Sequence, residues 1–446
     1  MKTYLWVKAY LGIVAILIGL VCSAGQCATV DEIRKAAEGG DANAQLELGE
    51  MYYEGTNITA DLGMAAIWLQ KAANQNCAEA QCKLAYMYLF GKGIPRDVDK
   101  ALHWYEASAS NGYPKAQLSL GDLYMVGKDV PKDTALAAKW YEASANAGNP
   151  TGQFNCGICY RDGVGVVRDL TRAAFWFDCA ATNGNAEAQT CLAVAYMFGQ
   201  GVPTDFEKAF LWSKKAANAG EPEGEYWLAV CYRRGRGTEV NVREAIDWCM
   251  KSSDKGCVRA HLTLAEAYVK GDGVPEDKHK AALLFETAAR TGNAEAEAAY
   301  GNCLFNGVGL TKNRNEAFTW FKKAADAGNK DGEFSLGYCY AEGIGVARDL
   351  NESINWYKKA ATGGHAEAQW FIGKCYRDGY KIAGTNIVQK DLVEAYKWLL
   401  LASQNGCSKA DADLAKVRKH LSNSEISEAE SRAKLETANE NIQSVQ

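Results

Sequence analysis

Apolar residues recur along this chain with a helical period, and that pattern itself returns every 36 residues, from residue 44, for nine periods without an insertion. With Ala44 as position 0, the equivalent residues are Ala80, Ala116, Gly152, Ala188, Gly224, Ala260, Ala296, Gly332 and Ala368. Position 8 is tyrosine in every copy but one, where it is Leu304, and position 5 is always Gly or Ala. Apolar residues at 0, 4 and 8 with a small one at 5 predict a helix, here called A, pressed closely against a neighbour.

A second helix, B, is predicted after Asp61, Asp97, Asp133, Asp169, Asp205, Asn241, Asp277, Asn313, Asp349 and Asp391. Each of these side chains is able to accept hydrogen bonds from the first free amides of a helix. Seven residues into B stands a tryptophan, replaced only by Leu284. Between A and B the first glycine, such as Gly343, is present in all ten copies. The second, such as Gly345, gives way to Asn57, Asp129 and Lys381 in three copies. Glycine, and after it Asn and Asp, tolerate positive φ, so these residues turn the chain. A phosphate-binding loop occurs once, after a strand or before Lys-Ser/Thr, whereas this motif is copied in every repeat of a helical pattern, which excludes a nucleotide site.

The stretch LGYCYAEGIGVARDLNESINWYKKAATGG, with its counterparts from residue 31 to about 435, closely resembles the Sel-one-like repeat, a branch of the tetratricopeptide superfamily. The resemblance implies an all-α, right-handed superhelical solenoid of antiparallel helix pairs, used as a non-catalytic adaptor for a protein or peptide partner. The expected organisation is a signal peptide at 1–24, ten repeats at 31–409 preceded by a half-repeat helix, capping helices at 410–436 and a disordered tail at 437–446. Repeat ten departs from the pattern with six extra residues in the region of YKIAGTNIVQKD before Asp391.

The first residues carry Lys2 and Lys8, an apolar run from Ala9 to Val21 and the small residues Ser23, Ala24 and Gly25, the order of a secretory signal. The expectation is an exported monomer, periplasmic or secreted, with no stable membrane span once the signal is cleaved; an uncleaved anchor is the competing reading. Net charge is −5, from 49 basic and 54 acidic residues interspersed, so no basic field invites nucleic acid.

Among the fifteen cysteines, Cys159, Cys231, Cys303, Cys339 and Cys375 share position 7, where other copies have Met51, Met87, Leu123, Ala195 and Ala267. They read as buried apolar residues rather than an ordered disulfide set, with Cys77–Cys82 and Cys179–Cys191 left open as bridges. The five histidines are scattered, and neither a zinc motif nor any cofactor motif is present. Some cysteine-rich relatives in the family are weak β-lactamases or peptidoglycan-related hydrolases. Ser252 with Lys255 and Ser431 with Lys434 match Ser-x-x-Lys, but the companion motifs of that chemistry are missing, so a non-enzyme is expected and a hydrolase is the alternative.

The expected recognition surface is the concave wall formed by helix A. Phe154, Tyr226, Phe334 and Trp370 at position 2, Tyr338 at position 6, and Arg161, Arg233 and Arg377 at position 9 are the candidate contacts. Aromatic anchors flanked by arginine suit a peptide carrying carboxylates. The competing reading is that the aromatic stripe fills space between helices.

Overall fold

A computed structural model describes residues 29–382 and 385–443; the signal-peptide segment lies outside the described residues. The architecture is an all-α solenoid of helix pairs. It opens with a single helix, Val30–Glu38, capped by Thr29 and Glu32 reciprocally, whose Ile33 and Ala37 pack with Leu48, Met51 and Trp68 of the first repeat.

In each repeat, helix A (Ala42–Glu54 in the first) is followed by helix B (Leu62–Asn74). The close approach predicted at position 5 is present and is enforced by volume. A methyl group on Gly121 would lie 2.5 Å from the Tyr141 ring, and on Gly157 2.6 Å from Phe177, so the missing side chain in A admits the large one in B.

The ten predicted caps of helix B all form. The Asp61 carboxylate accepts from the Met64 amide at 2.9 Å, and the same bond recurs down to Asp391, which accepts from Val393 and Glu394. All ten first glycines take positive φ, between 63° and 75°. The second glycine has an added duty. A Cβ on Gly165 would sit 2.0 Å from the Thr134 carbonyl oxygen, so this turn packs directly on the start of helix B one repeat earlier. Asn57 takes its place at φ 62°, as expected. Asp129 does not adopt positive φ; it forms an ion pair with Arg96 in the preceding turn instead.

The chain divides into two compact units, the first ending at Lys215 and the second beginning at Ala216. The first contains the leading helix and the repeats up to helix B of the fifth; its clusters centre on residues such as Leu48, Leu84, Leu120, Cys156 and Leu192. The second contains repeats 6 to 10 and two closing helices, Ser408–Arg418 and Asn423–Gln443. The last helix therefore continues beyond 436, where the sequence reading ends the capping segment and begins a disordered tail; 444–446 lie outside the described residues.

The extra residues of repeat ten form a small antiparallel hairpin, β1 (Tyr380–Ile382) and β2 (Thr385–Val388). Val388 anchors it by packing with Ile354 and Cys375. The five position-7 cysteines are buried, and the Cys77–Cys82 and Cys179–Cys191 bridges are not formed, since Cys77, Cys82 and Cys179 are thiols.

Candidate functional site

In the first unit, position 10 of helix A is exposed in every repeat and position 6 in repeats 2 and 3. In repeats 1 to 3 they are Glu50, Glu54, Tyr86, Phe90, Asp122 and Val126, and Phe90 and Val126 are 56% and 69% exposed. Phe90 and Val126 end their helices, one residue before the left-handed glycines Gly91 and Gly127, so the turn holds each side chain at the rim. Two pockets adjoin here and share Tyr86, Tyr105 and Ser119. One, of about 290 Å³, is completed by Tyr53, Leu69 and Cys82; the other, of about 320 Å³, by Leu89, Phe90, Leu123 and Val126.

Charges frame these pockets without filling them. Lys83 is paired with Glu50 and with Glu79 at 3.3 Å; burial, then the nearby Lys115, lower its pKa. Asp122 accepts a 2.8 Å hydrogen bond from the Tyr141 hydroxyl, and burial raises its pKa. The Cys82 thiol is pushed up to about 12 by burial, so it presents an unreactive S–H at neutral pH.

Of the eight residues singled out from sequence, Tyr338 alone stands exposed, at 42%. It packs edge-on to Phe305, with ring centres 6.0 Å apart, beside a pocket of about 200 Å³ that also includes Phe321 and Phe334. The other seven are half-buried and engaged with neighbouring elements. Phe154 packs on Phe177, Tyr226 belongs to the cluster around Ile246 and Cys249, and Phe334 stacks on His365 at 4.3 Å. Arg161 reaches Asp162 at 2.8 Å and Cys191 at 3.8 Å, while Arg233 pairs with Asp272. Trp370 donates from Nε1 to Asp413 at 3.0 Å, and Arg377 pairs with the same carboxylate at 2.6 Å, so the first closing helix covers both.

Position 10 is the part of this surface that the sequence reading overlooked. Its signal is an apolar residue directly before the first glycine at Phe90, Val126 and Phe198, where the other copies carry Glu54, Asp162, Arg234, Lys270, Asn306, Glu342 and Asp378.

Both serines that match Ser-x-x-Lys are hydrogen-bonded to backbone carbonyls. Ser252 is 0% exposed and its hydroxyl donates to the Pro222 carbonyl at 2.7 Å, while Lys255 is held by Glu225 at 2.7 Å and by the Gly220 carbonyl at 2.9 Å. Ser431 lies on the last helix and donates to the Ser427 carbonyl at 2.9 Å. No helix among the described residues is long and apolar enough to cross a membrane.

The Sel1 repeat family matches the chain at residues 42–77, 78–113, 114–149, 150–185, 186–221, 222–257, 258–293, 294–329, 330–365 and 366–407. No curated protein matches it. Among solved structures, a Sel1 repeat protein from Oxalobacter formigenes is 34% identical, covering 69% of this chain and 89% of its own, with a TM-score of 0.55. A protective antigen present in uropathogenic Escherichia coli strains, displaying an SLR fold, is 30% identical, covering 92% of this chain and 94% of its own, with a TM-score of 0.50. With the repeat matched ten times in succession, the chain belongs to the Sel1 repeat family.

Proposed function

We propose that the chain is an exported, non-catalytic scaffold, and that it binds a segment of a partner protein on the helix-A face of its first unit. Sel1 repeat proteins generally mediate protein–protein interactions, which supports the general reading. The observation that carries the specific one is the pair of adjoining pockets that share Tyr86 and Tyr105, with Phe90 and Val126 left in solvent at the rim of the second. Adjacent pockets of this kind accept apolar anchors from one segment, and desolvated aromatic anchors supply most of the affinity in such interfaces.

Charge narrows the partner. The two pockets are lined by Glu50, Glu54, Asp122 and Asp129 against Lys83, Lys115 and Lys128, a small acidic excess, and positions 6 and 10 of repeats 1 to 5 hold no lysine or arginine. A segment with two apolar side chains flanked by basic residues fits this face best. Tyr338 and its pocket form a smaller contact of the same kind in the second unit. Phe154, Arg161, Tyr226, Arg233, Trp370 and Arg377 act in this reading by holding successive elements together, whereas Phe334 also lines the Tyr338 pocket.

Calorimetric titration with a twelve-residue peptide of alternating leucine and lysine, and with the same peptide bearing glutamate for lysine, tests the proposal. Saturable binding of the lysine peptide that weakens at least tenfold in the Tyr86→Ala, Phe90→Ala double variant is expected. Equal binding of both peptides, no binding of either, or retention by the double variant would overturn it.

A further inference from the structure

Position 1 of helix A is buried in every repeat, and it is polar throughout. In the first unit it is Gln45, Gln81, Gln117, Gln153 and Gln189, and each amide donates to a carbonyl near the end of the preceding helix B or, for Gln45, of the leading helix. The acceptors are Ala37, Ala73, Ala109, Ala145 and Ala181, at 3.0, 3.1, 3.1, 3.3 and 3.1 Å. These bonds form a ladder of inter-repeat joints. In the second unit the same position reads Glu225, His261, Glu297, Glu333 and then Gln369.

The substitutes are accommodated unequally. Gln369 keeps the bond, to Ala361 at 3.0 Å, and Glu225 is held by Lys255. His261 bonds through Nδ1 to the Cys257 carbonyl at 3.0 Å and to Ser253 at 3.2 Å. Glu297 and Glu333, only 6% and 8% exposed, have no hydrogen-bond partner among the described residues. The carbonyls equivalent in sequence to the ladder acceptors are those of Ala289 and Ala325, which a carboxylate repels and a carboxylic acid O–H satisfies.

We infer that Glu297 and Glu333 make the joints of repeats 8 and 9 proton-operated, loose when ionised and locked on protonation, when each donates to its carbonyl as glutamine does elsewhere. The charges acting on them come from the helix B of their own repeats, Lys323 on Glu297 and Lys359 on Glu333. Both ammonium groups are drawn over the faces of Trp320 and Trp356, at 3.9 and 3.8 Å from the ring centres. Burial outweighs them: it raises the pKa of Glu297 and carries that of Glu333 up to about 6.

The sign follows from linkage. A carboxyl whose folded value exceeds its unfolded one holds more protons when folded, so its joint strengthens as pH falls through about 6 and weakens as pH rises. The amide joints of the first unit contain nothing that titrates.

Hydrogen exchange on the full chain, corrected for intrinsic rates, reads this repeat by repeat. Between pH 7.5 and 5, the local opening constant around Glu333 should fall about 8-fold, from the folded value near 6 and the ordinary value of 4.5. Peptides covering Gln153 and Gln189 should not respond. Glu333→Gln and Glu297→Gln introduce the residue found at this position in six other repeats, so both variants should fold, show the tight joint already at pH 7.5 and lose the response. Protection that falls or stays constant on acidification, or a response that survives both substitutions, would overturn the inference.

Discussion

Ala147 stands where Asn111 and Asn183 stand in the neighbouring repeats, and the difference has a visible consequence. Asn111 donates to Oε1 of Gln81 at 3.1 Å and Asn183 to Oε1 of Gln153 at 3.0 Å, whereas Oε1 of Gln117 is buried with no partner. Ala147 shares the backbone of Asn111, with φ −78° and ψ 4° against −79° and 9°, and it is exposed, so an asparagine enters without rearrangement. Ala147→Asn should therefore stabilise the first unit by about 1 kcal/mol in urea unfolding, the worth of satisfying a buried acceptor. At this scale the sequence gives columns but not directions. Positions 2 and 9 lie near 200° and 180° around helix A and positions 6 and 10 near 240° and 280°, at about 100° per residue. The difference is a few tens of degrees, yet it separates contact with a neighbouring element, as at Trp370 and Arg377, from contact with solvent, as at Tyr86 and Phe90. Periodicity groups all four positions on one face, so the aromatic stripe at Phe154, Tyr226 and Phe334 and the rim at Phe90 and Val126 are told apart only by their contacts.

The helices and their turns were legible because each is specified locally: a capping side chain, a glycine and an apolar period lie within a dozen residues of one another. What was not legible depends on partners 30 residues away. The bonds from Asn111 to Gln81 and from Asn183 to Gln153 are one example, and the contact of the second glycine with the preceding helix B is another. The hairpin at Tyr380–Val388 is a third, since it is anchored by Val388 against Ile354 and Cys375. The second glycine Gly165 and Gly148, in the turn from helix B to the next helix A, can be separated by experiment. Gly148 and Gly165 both have positive φ, 83° and 73°, but an added methyl meets nothing within 4 Å at Gly148 and the Thr134 carbonyl oxygen at 2.0 Å at Gly165. Gly148→Ala should cost only the left-handed strain, about 1 kcal/mol. Gly165→Ala adds overpacking between repeats and should cost roughly 2–5 kcal/mol in the same urea titration.

Helix-pair arrays are stabilised by nearest-neighbour contacts, so damage to one end should stay near that end. The first closing helix offers a clean place to apply it. Asp413 takes the indole N–H of Trp370 at 3.0 Å and the guanidinium of Arg377 at 2.6 Å, with Lys416 at 3.1 Å beside them. Burial raises the Asp413 pKa, but these bonds outweigh it and hold the carboxyl below its ordinary value. Asp413→Ala removes a charge-assisted bond to each of two largely buried partners, a loss of about 2–4 kcal/mol at the joint between repeat ten and its cap. Because Arg377 keeps Asp378 at 2.7 Å, the arginine is not left bare and the variant should remain folded. Hydrogen exchange should then show faster opening across Ala366–Asp378 and Ser408–Arg418, with protection in the first unit unchanged. Loss of protection in Ala42–Glu54 to the same extent would mean that the chain unfolds as one cooperative block rather than repeat by repeat.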